Sequence, residues 1–102
     1  MDIILHVTEA RYLGDYQFDL TFNDGRRGVV NLSQSLHGEM FEPLQDRALF
    51  AQGRVDPELR VLAWPNGADL APEYLYFLAF KDDSALHDQF VEWGYLPVTA
   101  RR

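Results

Sequence analysis

The sequence predicts a small α+β protein that begins with a three-stranded antiparallel meander and continues with further short strands, short helices and two C-terminal helices. Three observations lead to this fold class: a strictly alternating segment at residues 16–22, turn-forming residues on both sides of it, and helix-forming segments later in the chain. The chain has 102 residues, which suits a single hydrophobic core because two separate cores need more chain.

The alternating segment is the strongest structural signal in the chain. Polar side chains separate its apolar residues, which occupy every second position at Tyr16, Phe18, Leu20 and Phe22. A period of two with one apolar face is typical of a strand that has one side in the core and the other in solvent. We therefore predict that this segment is the central strand of the meander.

Turn-forming residues lie on both sides of this strand. Gly14-Asp15 precedes it and is typical of a tight two-residue hairpin loop, whereas Asn23-Asp24-Gly25 follows it and contains a glycine that tolerates positive φ. We therefore expect an earlier strand at about residues 4–13 and a later strand at about residues 26–32, one on each side of the central strand.

The middle of the chain has the pattern of short helices and strands. A helix is predicted over residues 43–51, with Asp46 as its N-cap and Gly53 as its stop. Residues 54–56 and 60–64 are predicted to be short extended segments, because turn-forming residues separate them and apolar residues dominate the second.

Two helices are predicted near the C-terminus. Pro72 is suited to the first position of a helix over residues 73–80, whose side chains are apolar nearly all round. A second helix is predicted from Asp83 or Ser84 to Trp93, because an acidic or hydroxyl N-cap precedes it and Gly94 follows it.

The predicted elements suggest a main domain with an addition at its end. We expect residues 1–80 to form the α+β domain. Residues 81–102 are then a C-terminal helical extension and tail packed on the same domain. The tail from residue 96 shows no helix or strand pattern, and we expect it to be loose.

Composition and charge narrow the classes of function. The chain has no cysteine, which excludes disulfides and thiolate metal sites, and we see no signal peptide or membrane span, so we expect a cytoplasmic protein without membrane contact. Its 16 acidic and 9 basic residues give a net charge of −7, which repels a phosphate backbone at long range. We therefore expect no direct nucleic acid binding. A protein partner, a basic one if charge selects it, or a second copy of the chain is expected instead.

No recognisable catalytic motif is present. His6, His37 and His87 lie too far apart in sequence for a local metal motif, and the chain contains no nucleophile elbow and no glycine-rich phosphate loop before a helix. We therefore assign no catalytic residue, no metal ligand and no cofactor. The sequence favours a protein without enzymatic activity, although a triad assembled in space is not visible at this level.

The segment from Trp64 to Asp69 has two interpretations. In the structural one, Trp64 ends a strand in the core, Asn66-Gly67 turns the chain, and Asp69 accepts hydrogen bonds from free amides ahead of the following helix. In the functional one, the segment is a recognition loop with Trp64 as an aromatic anchor and Asn66 and Asp69 as polar contacts. Turn chemistry accounts for each residue type, so the structural interpretation is favoured.

The aromatic residues near the C-terminus present a similar choice. Phe90, Trp93 and Tyr95 either pack over the preceding helix or form an exposed apolar face for a partner or a second copy. The sequence favours neither interpretation. The candidate binding residues are therefore these three together with Trp64, Asn66 and Asp69.

Four segments resemble a bacterial family known as domain of unknown function 2442. They are Val7-Thr-Glu-Ala-Arg-Tyr-Leu-Gly14, Phe22-Asn-Asp-Gly25, Phe41-Glu-Pro-Leu-Gln-Asp46 with Leu49-Phe50, and Trp64-Pro-Asn-Gly-Ala-Asp69. The resemblance covers about residues 4–76 and implies a small cytosolic bacterial or phage protein with an antiparallel sheet and short helices. It implies no activity and carries over no catalytic residue. Family members are often similar to the small partner in toxin–antitoxin pairs, and the helix after residue 81 is an addition to the family pattern.

These observations lead to three hypotheses of function. The first is a small acidic binding protein without catalytic activity that acts through protein–protein contact, as an antitoxin-like or regulatory partner. The second is a small-molecule-binding protein or enzyme with a site near the Trp64–Asp69 loop. The third is a homodimeric structural module in which the C-terminal helices pack on each other.

Overall fold

The computed structural model describes residues 4–97 and begins with the predicted meander. Its strands are β1 (Val7–Gly14), β2 (Gln17–Phe22) and β3 (Arg27–Asn31), which form an antiparallel sheet in the order β1-β2-β3. The prediction from the alternating segment is therefore confirmed. The protein has the α+β fold class that the sequence indicates.

The turn between β1 and β2 lies one residue later than predicted. Asp15 and Tyr16 occupy its centre, with φ angles of 51° and 63°, so Tyr16 belongs to the turn and not to the strand. Positive φ at both central positions is the geometry whose twist matches that of the flanking strands. The Tyr16 ring still packs edge-on against Phe50, at 5.1 Å between ring centroids, and its hydroxyl donates a hydrogen bond to the Gln45 carbonyl.

A second small antiparallel sheet follows in the chain. Its strands are β4 (Arg54–Val55), β5 (Leu62–Ala63) and β6 (Asp69–Leu70), in the order β4-β5-β6. The first two match the predicted extended segments. The third is missing from the prediction, because a two-residue strand is too short to show alternation.

The helices are short and cover one side of the meander. They are α1 (Arg47–Phe50), α2 (Pro72–Phe80) and α3 (His87–Glu92). The helix predicted over residues 43–51 is in fact two pieces, a 3-10 helix at Glu42–Gln45 and then α1. Asp46 separates them with an extended ψ of 114°, and its carboxylate accepts the Ala48 N–H at 2.9 Å, as expected of an N-cap.

The core lies between the inner face of the meander and the elements that cover it. Phe18 contacts Phe50 of α1 and Trp64 after β5, with ring centroids 5.3 Å and 6.3 Å away, and Phe22 contacts Tyr76 of α2 at 5.0 Å. The buried hydrophobic residues form one cluster that draws on both sheets and on the helices: Leu5, Val7, Phe18, Leu20, Phe22, Val30, Leu32, Leu36, Leu44, Phe50, Leu62, Trp64, Ala68, Leu75, Tyr76, Leu86 and Phe90.

The C-terminal segment packs into this same cluster. Asp83 caps a 3-10 turn at Ser84–Leu86 by accepting the Ala85 N–H at 2.9 Å, and α3 follows directly. Gly94, with φ of 88°, ends α3 in the conformation that glycine allows at a helix C-terminus. Residues 98–102 of the expected loose tail lie outside the described residues. Between residues 4 and 97, no helix has the length and apolar character needed to cross a membrane.

Candidate binding surface

Trp64, the predicted anchor of a recognition loop, is a core residue. Its side chain is only 4% exposed, and the indole Nε1–H donates a hydrogen bond of 2.8 Å to the Phe50 carbonyl. The backbone passes close to this ring at Gly53, where a Cβ would lie 2.7 Å from Nε1. Trp64 therefore lies in the core, as the structural interpretation of this segment expected. Its role in binding stays a prediction.

The polar residues of the same loop shape the loop itself. The Asn66 side chain donates 3.0 Å to the Met40 carbonyl and accepts the Ala68 N–H at 3.1 Å, so it ties two loops together. Asp69 is exposed on β6 and pairs with Ala63. The expectation that Asp69 accepts amides ahead of α2 is wrong, because the N-cap of α2 is Ala71 and no side chain caps it.

The three C-terminal aromatic residues differ in exposure. Phe90 is 0% exposed and packs edge-on against Phe77, with ring centroids 5.2 Å apart, so the packing interpretation holds for this residue. Trp93 and Tyr95 are half-buried, and Tyr95 stacks on Phe77 at 5.1 Å with an interplanar angle of 17°. Trp64 contacts Phe18 and Phe50 and none of these three residues, so the predicted site at Trp64 and the predicted site at the C-terminal aromatic residues remain separate.

A polar network that sequence reasoning missed joins the β2–β3 turn to the C-terminal segment. The Tyr76 hydroxyl donates to Asp24 at 2.6 Å, and Arg26 donates to Asp83 at 3.0 Å. Asp83 also caps the turn before α3, and these hydrogen bonds lower its pKa. Because the paired residues are more than 50 positions apart, no local pattern points to this network.

We expect Tyr76 to make the folded state less stable at alkaline pH. Burial and the hydrogen bond to Asp24 raise the pKa of Tyr76 from 10.0 to about 12. The unfolded chain therefore loses the phenolic proton first, and the free energy of unfolding should fall as the pH rises through 10 toward 12. Tyr76→Phe should lack this part of the decline and should lose about 1–2 kcal/mol at neutral pH with the hydrogen bond.

Urea unfolding followed by circular dichroism at several pH values up to 11.5 measures this effect. Tyr74→Phe is the matched control, because it removes the neighbouring hydroxyl that pairs with Ser35 and leaves Tyr76 in place. The control should keep the alkaline decline. Parallel curves for wild type and Tyr76→Phe above pH 10 would contradict the assignment.

The solvent side of the meander is a regular surface outside the core. Nine side chains form three rows across the strands, and we call this surface the open face. Each of them keeps contact with solvent, since the six on β1 and β3 are exposed and the three on β2 are half-buried. By strand register two of the rows are Glu9–Thr21–Arg27 and Arg11–Asp19–Val29. In the third, Gln17 pairs with Asn31, and Leu13 lies in the register irregularity of β1 next to Gly14, the partner of Gln17.

Paired charges lie at the centre of the open face. Arg27 Nε lies 3.0 Å from each Asp19 carboxylate oxygen, and Arg11 Nη2 lies 3.4 Å from Oδ2 on the other side. Hydrogen bonds and positive charge, from Arg27 first and then Arg11, hold the pKa of Asp19 below its usual value. The guanidinium groups keep further N–H donors directed to solvent, since each carries five.

The charged rows surround an open depression of about 410 Å³, lined by Glu9, Ala10, Arg11, Asp19, Thr21 and Arg27. A second depression of about 280 Å³ lies at the junction of the two sheets, lined by Val7, Thr8, Val55, Pro57 and Arg60. Neither includes Trp64, Asn66 or Asp69. Within residues 4–97, no group of three or more His, Asp or Glu side chains is arranged to hold a metal ion.

Sequence reasoning identified the outward side chains of β2 but not the open face to which they belong. The alternation places Gln17, Asp19 and Thr21 opposite the apolar face. The alternation does not show the strand register that brings Arg11 and Arg27 near Asp19. It also does not show that α1 and α2, whose Phe50 and Tyr76 contact the inner rings Phe18 and Phe22, pack on the opposite side of the sheet. One sequence signal could have indicated this surface: charged residues occupy alternate positions of the first strand, at Glu9 and Arg11, and Arg27 lies on the third strand.

Within residues 4–97, the fold and this surface define a small α+β domain with two antiparallel sheets and one uncovered sheet face. A family model described as "Protein of unknown function (DUF2442)" matches residues 7–81, so the chain belongs to this family. The helix α3 follows the matched region. Comparison with curated proteins finds no match.

The fold also occurs in a solved crystal structure from Nitrosomonas europaea ATCC 19718, of a protein described as a proposed DNA-binding protein. The two chains superpose with a TM-score of 0.70 at 19% sequence identity, over 88% of this chain. The match spans 59% of the length of the Nitrosomonas chain. At this identity the likeness establishes a shared fold.

The expectation about partners needs a correction. The net charge of −7 led us to exclude direct nucleic acid binding and to expect a basic protein or a second copy. The Nitrosomonas protein shares the fold and is described in terms of DNA binding, which overturns that exclusion. The physical reason is that net charge describes the whole molecule at long range, whereas contact depends on the local arrangement of groups such as Arg11 and Arg27.

Proposed function

We propose that the protein is a non-catalytic binding module that holds a partner protein on its open face. The observation that carries this proposal is the bare side of the meander, where all nine outward side chains remain in contact with solvent. Leu13 and Val29, at 46% and 49% exposure, place two large apolar side chains there beside two arginines. Apolar residues mixed with arginine are typical of protein interfaces.

The chemistry of the depression favours binding over catalysis. A general base works best when its pKa lies near the working pH, but the pKa of Asp19 is lowered by its arginine partners. The lining contains no histidine, serine or lysine. A small-molecule site at the Trp64–Asp69 loop has less support, because Trp64 is buried and both polar ends of Asn66 bond within the protein.

Affinity capture from the native cell with a matched pair of variants tests this proposal. Arg11→Ala with Leu13→Ser changes the open face on β1, whereas Arg54→Ala with Leu59→Ser removes the same two residue types elsewhere on the surface. We expect the first variant to lose at least about tenfold of the captured partner, equivalent to about 1.4 kcal/mol of binding free energy. The second variant should capture as much as wild type. Equal capture by both variants would contradict binding on the open face.

DNA contact is a second candidate function, supported by the fold shared with the Nitrosomonas protein. Arg11 and Arg27 project from the open face, and guanidinium groups bind phosphate oxygens well. Fluorescence anisotropy with labelled double-stranded DNA at 50 and 200 mM salt tests this candidate. Affinity that falls with salt and is lost in Arg11→Ala with Arg27→Ala would support DNA contact at this surface, and no binding at 50 mM salt would exclude it.

A further inference from the structure

The strand β3 is an edge of the meander, and no other strand among residues 4–97 pairs with its outer side. The Phe22 N–H donates to the Arg26 carbonyl and the Leu32 N–H donates to the Tyr16 carbonyl, each at 2.9 Å, at the two ends of the β2–β3 ladder. Because backbone bonds alternate in antiparallel pairs, even-numbered residues of β3 point their N–H and C=O toward β2. The backbone groups of Arg27, Val29 and Asn31 therefore point away from the sheet.

This edge has few of the devices that usually protect an exposed strand, and Arg27 is the only charged residue within β3. Its pairing with β2 runs over five residues without a register shift, contains no proline, and has the exposed, β-branched Val29 at its centre. The opposite edge is different. There β1 contains two register irregularities, and the Val7 N–H donates to the Arg60 carbonyl near the second sheet. Regular, unprotected edges are templates for pairing with another chain.

The helix α2 packs closely against the inner face of β3. Gly28 lets α2 approach so closely that a Cβ at this position would lie 3.0 Å from both the Ala79 Cβ and the Phe80 Cε1. The strand is therefore fixed between β2 on one side and α2 on its inner face. A rigid template lowers the entropy lost when a partner strand adds to it.

We propose that an extended segment of a partner protein adds to β3 as a fourth strand of the meander. This inference rests on the proposed function and specifies how the partner is held. Side chains of the added strand would then lie next to those of β3 and extend each row of the open face. A carboxylate beside Arg27 and a β-branched apolar side chain beside Val29 are the complementary neighbours, because opposite charges and apolar pairs stabilise adjacent strands.

A proline scan at one position tests the added strand. Val29→Pro removes an N–H that points away from β2 and so leaves the internal ladder intact, whereas Val29→Thr keeps the N–H and the β-branched shape. The probe is a displayed library of ten-residue linear peptides selected on wild type, followed by calorimetry with the enriched peptides. We expect enriched peptides to alternate β-branched and polar residues with one acidic residue. They should bind Val29→Thr within about threefold of wild type and Val29→Pro at least about tenfold more weakly, as the loss of one hydrogen bond implies.

Amide hydrogen exchange supplies a readout that does not depend on how well Val29→Pro folds. On adding an enriched peptide to wild type, the amides of Arg27, Val29 and Asn31 should gain protection together. Protection confined to other strands, equal affinity for Val29→Pro and Val29→Thr, or no enriched peptide would overturn the added strand. A wild-type dimer that Val29→Pro dissociates would also overturn it, because the occupant would then be a second copy.

The two proposals fail in different ways. A captured partner that depends on Arg11 and Leu13 but binds Val29→Pro normally would leave the open-face proposal standing and overturn the added strand. A partner that is insensitive to all three positions would overturn both.

Discussion

Replacing Phe90 with alanine is expected to lower the free energy of unfolding by about 3–5 kcal/mol. The ring is 0% exposed and contacts Phe77 and Tyr76 of α2, with centroids 5.2 Å and 6.3 Å away. Alanine would remove these contacts and leave a cavity in the core. Urea denaturation followed by tryptophan fluorescence and circular dichroism measures the loss.

Val91→Ala is the matched control on the same helix. Val91 is half-buried, and alanine has the higher helix propensity, so the control should change the free energy of unfolding by less than about 1 kcal/mol. Since Phe90 follows the family match at residues 7–81, a large loss would show that the added helix contributes to the core. A loss below 1 kcal/mol for Phe90→Ala would mean that the extension is only loosely attached.

Replacing Gly53 with alanine is expected to destabilise the protein by about 2–4 kcal/mol through overpacking and a lost hydrogen bond. A Cβ there would lie 2.7 Å from Trp64 Nε1 and 2.9 Å from Phe18 Cζ, which are distances that real Cβ atoms do not tolerate. Relief requires the indole to move, and its hydrogen bond to the Phe50 carbonyl would then lengthen. Urea denaturation again measures the effect.

A double-mutant cycle with Trp64→Phe identifies the cause. Phenylalanine lacks the indole nitrogen, so Gly53→Ala should cost at least about 1 kcal/mol less in that background than in wild type. An equal cost in both backgrounds would assign the effect to contact with Phe18 or to the backbone at Gly53 instead of to contact with the indole. This result matters for the proposed recognition loop, because it measures how firmly Trp64 is held in the core.

Local residue patterns accounted for much of the secondary structure. Alternation located β2, and flanking turns located its neighbours. Asp46 was predicted to be an N-cap, as was either Asp83 or Ser84, and the structure has Asp46 and Asp83 in this role. Such caps are predictable because the carboxylate accepts an amide two residues ahead, within the same short segment. The errors are local too. The first turn was placed one residue early, and β6 was too short to leave a pattern.

The candidate site was less predictable than the fold. The sequence named Trp64 and Phe90 as candidate binding residues with an alternative interpretation as core residues, and both have their side chains in the core. Gly53 was predicted to stop a helix, whereas the structure shows that it makes room for the Trp64 ring. An aromatic residue looks the same in the sequence whether it packs in the core or faces a partner. Only the residues that surround it in the folded structure distinguish these two positions.

The sequence by itself determined the α+β class, the meander and most helix ends, because these depend on residues within a few positions of one another. The tertiary structure decided which surfaces remain in solvent. The burial of Phe90, the link from Arg26 to Asp83, and the bare face around Asp19 depend on residues far apart in the chain. Whether a side chain is buried depends on all the elements packed around it. A short sequence pattern contains no information about which distant element will cover that side chain.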